Sequence, residues 1–183
     1  MTEPPAAYLK TIRVIDTFSE WWGKLFCWLI LPMVLGLTYE VVARYWFHAP
    51  TIWAFDATYM LYGSHFMLGA AYALLKGGHI RTDMFYEKYS DRGKGMVDAA
   101  TYLFFFFPGL LLVFFSSIDE AYHAWLIMER SEQTAWRPIL APFKTVVPLT
   151  ALLLIVQGVS EFLKAVWAAK TGTMLGKKEA IEI

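Results

Sequence analysis

The stretch AATYLFFFFPGLLLVFFSSI, residues Ala99 to Ile118, runs for 20 residues without a formal charge. At about 1.5 Å of rise per helical residue it covers roughly 30 Å, the thickness of the hydrocarbon core of a bilayer. A second stretch, Ala57 to Leu75, is uncharged over 19 residues. These two runs point to an all-α integral membrane protein. The composition agrees. Hydrophobic residues make up 57% of the 183-residue chain and charged residues 17%, against roughly half and a quarter in soluble domains. A soluble core of this size could not hide that much apolar surface, so a soluble enzyme is not expected.

Two more spans are assembled from shorter runs. Leu25 to Tyr39 is uncharged over 15 residues and reaches membrane thickness by adding Glu40 to Ala43. Glu40 and Arg44 stand four apart on one helix face and can pair near the membrane surface. Thr145 to Ser160 is uncharged over 16 residues and extends through Glu161 and Lys164 toward Trp167. The expected architecture is four transmembrane helices near 22–44, 56–76, 97–119 and 144–168. They form a domain over 22–168, between an N-terminal segment 1–21 and a tail 169–183. Transmembrane helices tolerate proline, so kinks are expected at Pro32 and Pro108, with Pro148 in a first turn.

Charge placement orients the chain. Of the 16 Lys and Arg residues, 12 fall in the N-terminal segment, the connection between spans two and three, and the C-terminal end; Arg44, Arg130, Arg137 and Lys144 fall on the other side. The positive-inside rule then places both termini in the cytoplasm. Lys10 and Arg13 precede an apolar run, as in a signal peptide. Asp16, Glu20 and the lack of an A-x-A-like site favour an uncleaved first span. Residues 8–24 read either as an interfacial helix lying on the membrane or as a cytoplasmic extension of that span.

The connection after span two, a basic elbow, is the most patterned. Gly77-Gly78 can end the helix through a left-handed residue, Asp83 can cap a short helix, and Ser90 or Asp91 can cap the next. Chemistry-bearing patterns are otherwise scarce. No phosphate loop, nucleophile elbow or metal-ligand spacing occurs, and the single cysteine, Cys27, offers no framework. His65 lies mid-span with no second histidine at its depth, which suits packing better than haem ligation. The zero net charge gives no field for nucleic acid. No internal repeat or midplane set of polar groups suggests a self-sufficient transporter. Neither a catalytic residue nor a cofactor is expected. An anchor or cytochrome-type subunit of a redox complex is the alternative class.

Three segments carry a resemblance. Arg44-Tyr45-Trp46-Phe47-His48-Ala49-Pro50, followed by Trp53 and Asp56, resembles a motif of the small membrane subunit (Q-type, DctQ-like) of tripartite ATP-independent periplasmic (TRAP) transporters; Asp56 stands where that family usually has Glu. Leu68-Gly69-Ala70-Ala71-Tyr72-Ala73-Leu74 leads into Lys76-Gly77-Gly78-His79-Ile80-Arg81-Thr82-Asp83, similar to the family's L-G-A-A-Y-A-L-R-x-G-G-H-V-R-V-D region. A looser match runs from Glu132 to Gln157-Gly158.

The resemblance implies a supporting subunit in the bacterial inner membrane. A large permease subunit carries the solute, often an organic acid, with an ion gradient; a periplasmic solute-binding protein delivers it. Membrane lipids complete the expected surroundings. Candidate structural or partner-contact residues are Arg44, Pro50, Trp53, Asp56, Gly77, Gly78, His79, Arg81 and Asp83.

Overall fold

The computed structural model describes residues 4–77, 86 and 89–175. Among them it is helical: α1 (Ala6–Cys27), α2 (Ile30–Trp46), α3 (Ala54–Leu68), α4 (Ala70–Leu75), α5 (Asp91–Thr101), a π-turn (Tyr102–Phe106), α6 (Phe107–Leu126) and α7 (Ala141–Thr171). No strand occurs among these residues; one isolated bridge joins Arg130 to Ile139. Three helical stretches are long and apolar enough to cross a membrane: Ala6–Trp46, Asp91–Leu126 and Ala141–Thr171.

The prolines shape these stretches by withholding an N–H. Pro32 cannot serve the carbonyl of Trp28, so the turn tightens: Leu31 N–H donates to Trp28 O and Leu29 N–H to Phe26 O, both at 3.1 Å. The chain passes from α1 to α2 through this tight turn, where a kink is expected. Pro108 likewise cannot donate to the Phe104 carbonyl. Tyr102–Phe106, just before it, widen into the π-turn, and Phe107 N–H reaches back to Tyr102 O.

Pro148 corrects the sequence reading. It lies inside α7, while Pro142 occupies the first turn. The helix begins a turn earlier than its charge pattern suggests because Lys144 is neutralised. Its ammonium sits 2.7 Å from both Glu120 and Glu129.

α7 is the central helix. α6 lies along one side of it and α3 along another, and α2 rests on α3. Where α1 starts and α7 finishes, here called the terminal end, α1 packs on α4 and α7 and α5 packs on α7. At the opposite, corner end, α2 meets α3 and α6 meets α7. Glycines permit the closest crossings. A Cβ on Gly23 would stand 2.4 Å from Tyr72 Cβ, and one on Gly95 would stand 2.4 Å from the Ala169 backbone nitrogen. Small residues at such crossings let helix backbones approach, the usual basis of packing in lipid.

The buried core is small: Leu68, Ala71 and Leu153, surrounded by Trp22, Phe26, Val146, Leu149 and Leu154. Large apolar side chains instead cover the outside, among them Leu35, Phe105 and Leu112. An inside-out distribution of this kind is stable only against lipid or protein.

Candidate functional site

Two polar constellations are built into this apolar layer. At the corner end, Glu40 is buried on α2. Its carboxylate accepts from Arg44 Nε at 2.8 Å and from Thr51 N–H at 2.9 Å, with further bonds from Arg44 Nη2 and the Thr51 hydroxyl. The i,i+4 pairing expected from the sequence therefore forms, and it also ties α2 to the segment that starts α3. Pro50 is exposed in that connection. Trp53 stacks on Tyr39, with ring centroids 6.0 Å apart.

Asp56 is only 1% exposed. Arg44 and Asp56 flank the short connection and read from the sequence either as an ion pair or as shared contacts with a partner subunit; the two side chains do not pair with each other in the structure. Asp56 accepts from Ser131 Oγ at 2.7 Å and from the Thr134 hydroxyl. The α6–α7 connection folds over the start of α3 and brings these hydroxyls in, with Ser131 N–H bonded to Pro138 O and Leu140 N–H to Glu129 O. Arg44 stays with Glu40 because four residues of helix already place them together.

Past α4, Gly77 takes φ +74°, the left-handed geometry that ends a helix, and its N–H bonds Leu74 O at 3.1 Å. Gly78, His79, Arg81 and Asp83, and with them the expected Asp83 cap, lie outside the described residues. Beyond the elbow, Ser90 caps α5 by accepting from Gly93 N–H, one of the two expected capping residues. The Tyr86 hydroxyl donates to Asp98 at 2.6 Å. His65 meets the Phe26 carbonyl through Nδ1 at 3.1 Å, a contact within the helix packing. Among the described residues no His, Cys, Asp or Glu group is arranged to hold a metal.

The second constellation was not expected. The spans read as lacking a convergent midplane set of polar groups; the structure places a buried polar cluster between α1 and α7. Asp16 accepts from Gln157 Nε2 at 3.0 Å and Ser160 Oγ at 2.7 Å. Lys164 bridges Asp16 and Glu161 at 2.7 and 2.8 Å. Gln157, Ser160 and Glu161 are buried. Gln157, Glu161 and Lys164 share a face of α7 at helical spacing, which is a legible signal. Asp16 comes from the segment preceding the first apolar run, so no periodicity within one helix reveals the match. Trp22 Nε1, Thr150 Oγ1 and Gln157 Oε1 are buried polar atoms with no partner among the described residues.

The family described as tripartite ATP-independent periplasmic transporters, DctQ component, matches residues 33–167. No curated protein matches the chain. The matched region contains the corner, the elbow and the α7 side of the polar cluster, but not Asp16. The family is a transporter component, not an enzyme family. With most of its length matched, and with helices apolar enough to span a membrane, the chain belongs to the DctQ component family of TRAP transporters.

Proposed function

We propose that this chain is the small permease subunit that braces a large permease subunit during ion-gradient-driven uptake of a solute, an organic acid, handed over by a periplasmic binding protein. The observation that carries this reading is the open helical layer: its apolar surface faces outward along α2 and α6, while its buried polar groups are mostly occupied by one another. Such a layer offers a partner a wide surface and offers a solute little. Arg44, Pro50 and Trp53 at the corner, and the elbow from Gly77 to Asp83, are the proposed contact points. Buried Asp56 has the structural role of fixing the corner.

We read the chain as crossing the inner membrane four times with both termini in the cytoplasm. α3 and α4 together run from Ala54 to Leu75, about 33 Å at helical rise, enough for the additional crossing. The strong bias of Lys and Arg toward the termini and the elbow supports the orientation. Cysteine labelling in a Cys27→Ser background tests it: Glu132→Cys should react from the periplasm and Met174→Cys only from the cytoplasm.

Function is tested in vesicles. The large permease and the binding protein should take up solute only when this chain is present. Uptake by this chain alone would overturn the supporting role.

A further inference from the structure

One face of α1 is turned away from both α4 and α7. Arg13, Val14, Thr17, Phe18 and Trp21 share this open face. Arg13 and Thr17 sit a turn apart on an otherwise apolar surface, and Val14, Phe18 and Trp21 are 60%, 41% and 59% exposed. The acidic residues of α1 are already engaged. Asp16 is held by Lys164, Ser160 and Gln157, and Glu20 by Lys24 and Lys76. No carboxylate among the described residues pairs with Arg13 or with neighbouring Lys10.

We propose that this face binds an anionic phospholipid, with its phosphate on Arg13 and Thr17 and an acyl chain lying along Phe18 and Trp21. A guanidinium offers a planar fork of N–H donors that fits phosphate oxygens, and a hydroxyl adds one more. Lys10, one turn before Arg13, adds attraction for net negative charge. From Arg13 to Trp21 is eight residues, so about 12 Å of helix leads from the headgroup position along the apolar wall. Leu25, 47% exposed, continues that wall. Charge and grease thus follow one another in the order in which a lipid presents phosphate and tail. A soluble phosphate would use only the Arg13 end of this face; an apolar helix would leave Arg13 unanswered.

The proposal rests on the reading that the start of α1 lies at the cytoplasmic surface. It predicts that the full-length chain, purified in mild detergent, retains phosphatidylglycerol over phosphatidylcholine of the same acyl chains in native mass spectrometry. Arg13→Gln should weaken the phosphatidylglycerol adduct about tenfold, the scale of losing a charged hydrogen-bonding partner, and remove the preference. Trp21→Ala should weaken both lipids. Inorganic phosphate should not compete at equal concentration.

Arg137→Gln, far away on the α6–α7 connection, is the control and should change nothing. Unchanged phosphatidylglycerol binding in Arg13→Gln sinks the proposal. So does an equal loss in Arg137→Gln, or full competition by free phosphate. Thr11→Cys labelling in the Cys27→Ser background separates the two readings. Reaction from the periplasm refutes the topology, whereas failure of the lipid assay with cytoplasmic labelling refutes the lipid site alone.

Discussion

A carboxylate within an apolar layer survives only if its oxygens are hydrogen-bonded, and the buried acids meet that demand in different ways. Glu40 uses a cation one helical turn away and the start of the next helix; Asp56 uses two hydroxyls from a distant connection. These are separate sets, so Arg44→Gln and Asp56→Ala should destabilise additively, to within about 0.5 kcal/mol. Each should cost about 1–3 kcal/mol for the lost or orphaned hydrogen bonds. Thermal unfolding in detergent checks this, and strong coupling would restore the Arg44–Asp56 pair. The cluster at Lys164 behaves otherwise, because one ammonium serves two carboxylates. Lys164→Met should cost about 3–5 kcal/mol, since it leaves carboxylates buried without their cation. Adding Asp16→Asn should recover part of that loss; a double variant no more stable than Lys164→Met would mean that Asp16 does not feel Lys164. The sequence made the Glu40–Arg44 pair legible because its geometry is local. It concealed the Asp56 and Asp16 contacts, which depend on segments 75 and more than 140 residues away.

At the scale of elements, the long apolar runs were readable because lipid imposes a length and forbids charge. Local irregularities fall beside prolines that withhold a donor, a tight turn before Pro32 and a π-turn before Pro108. What the sequence left open was which helices pack closely, since glycine in an apolar run has no period of its own. Gly95 illustrates this. It looks like a local weakness in α5, yet a Cβ there would press on the Ala169 nitrogen at 2.4 Å and the Ala165 carbonyl oxygen at 2.8 Å. Backbone atoms of a helix cannot step aside, so Gly95→Val should separate α5 from α7 and lower the melting temperature by several degrees. Overpacking of this kind typically costs about 1–3 kcal/mol. Gly109→Ala is the matched control. Nothing lies within 4 Å of its Cβ position, and replacing a helical glycine by alanine should be neutral or stabilising by up to about 1 kcal/mol. Equal destabilisation by both changes would show that glycine matters here for reasons other than the α5–α7 approach.

For the whole molecule, the arrangement around α7 leaves α2 and α6 with much of their surface open, and either could face a partner. The residues that carry the family resemblance favour α2. Arg44, Pro50 and Trp53 belong to the end of α2 and its connection to α3, whereas α6 carries none of them. Val34 and Leu35, 49% and 69% exposed, continue that surface along α2; Leu111 and Leu112, 43% and 73% exposed, occupy α6. In lipid, association gains little from hiding apolar area, because acyl chains are as apolar as leucine; it depends on packing between helices. Truncation is therefore informative. A side chain facing lipid can be shortened at small cost, whereas one seated against a partner helix leaves a gap. The pair Val34→Ala with Leu35→Ala should weaken co-purification with the large permease about tenfold, roughly 1.4 kcal/mol, while Leu111→Ala with Leu112→Ala should leave it unchanged. Melting of the isolated chain should move little for either pair, which separates loss of partner from loss of fold. If the α6 pair alone weakens the complex, the large permease docks on the other side of α7, and the corner motif serves the fold of this subunit rather than its assembly.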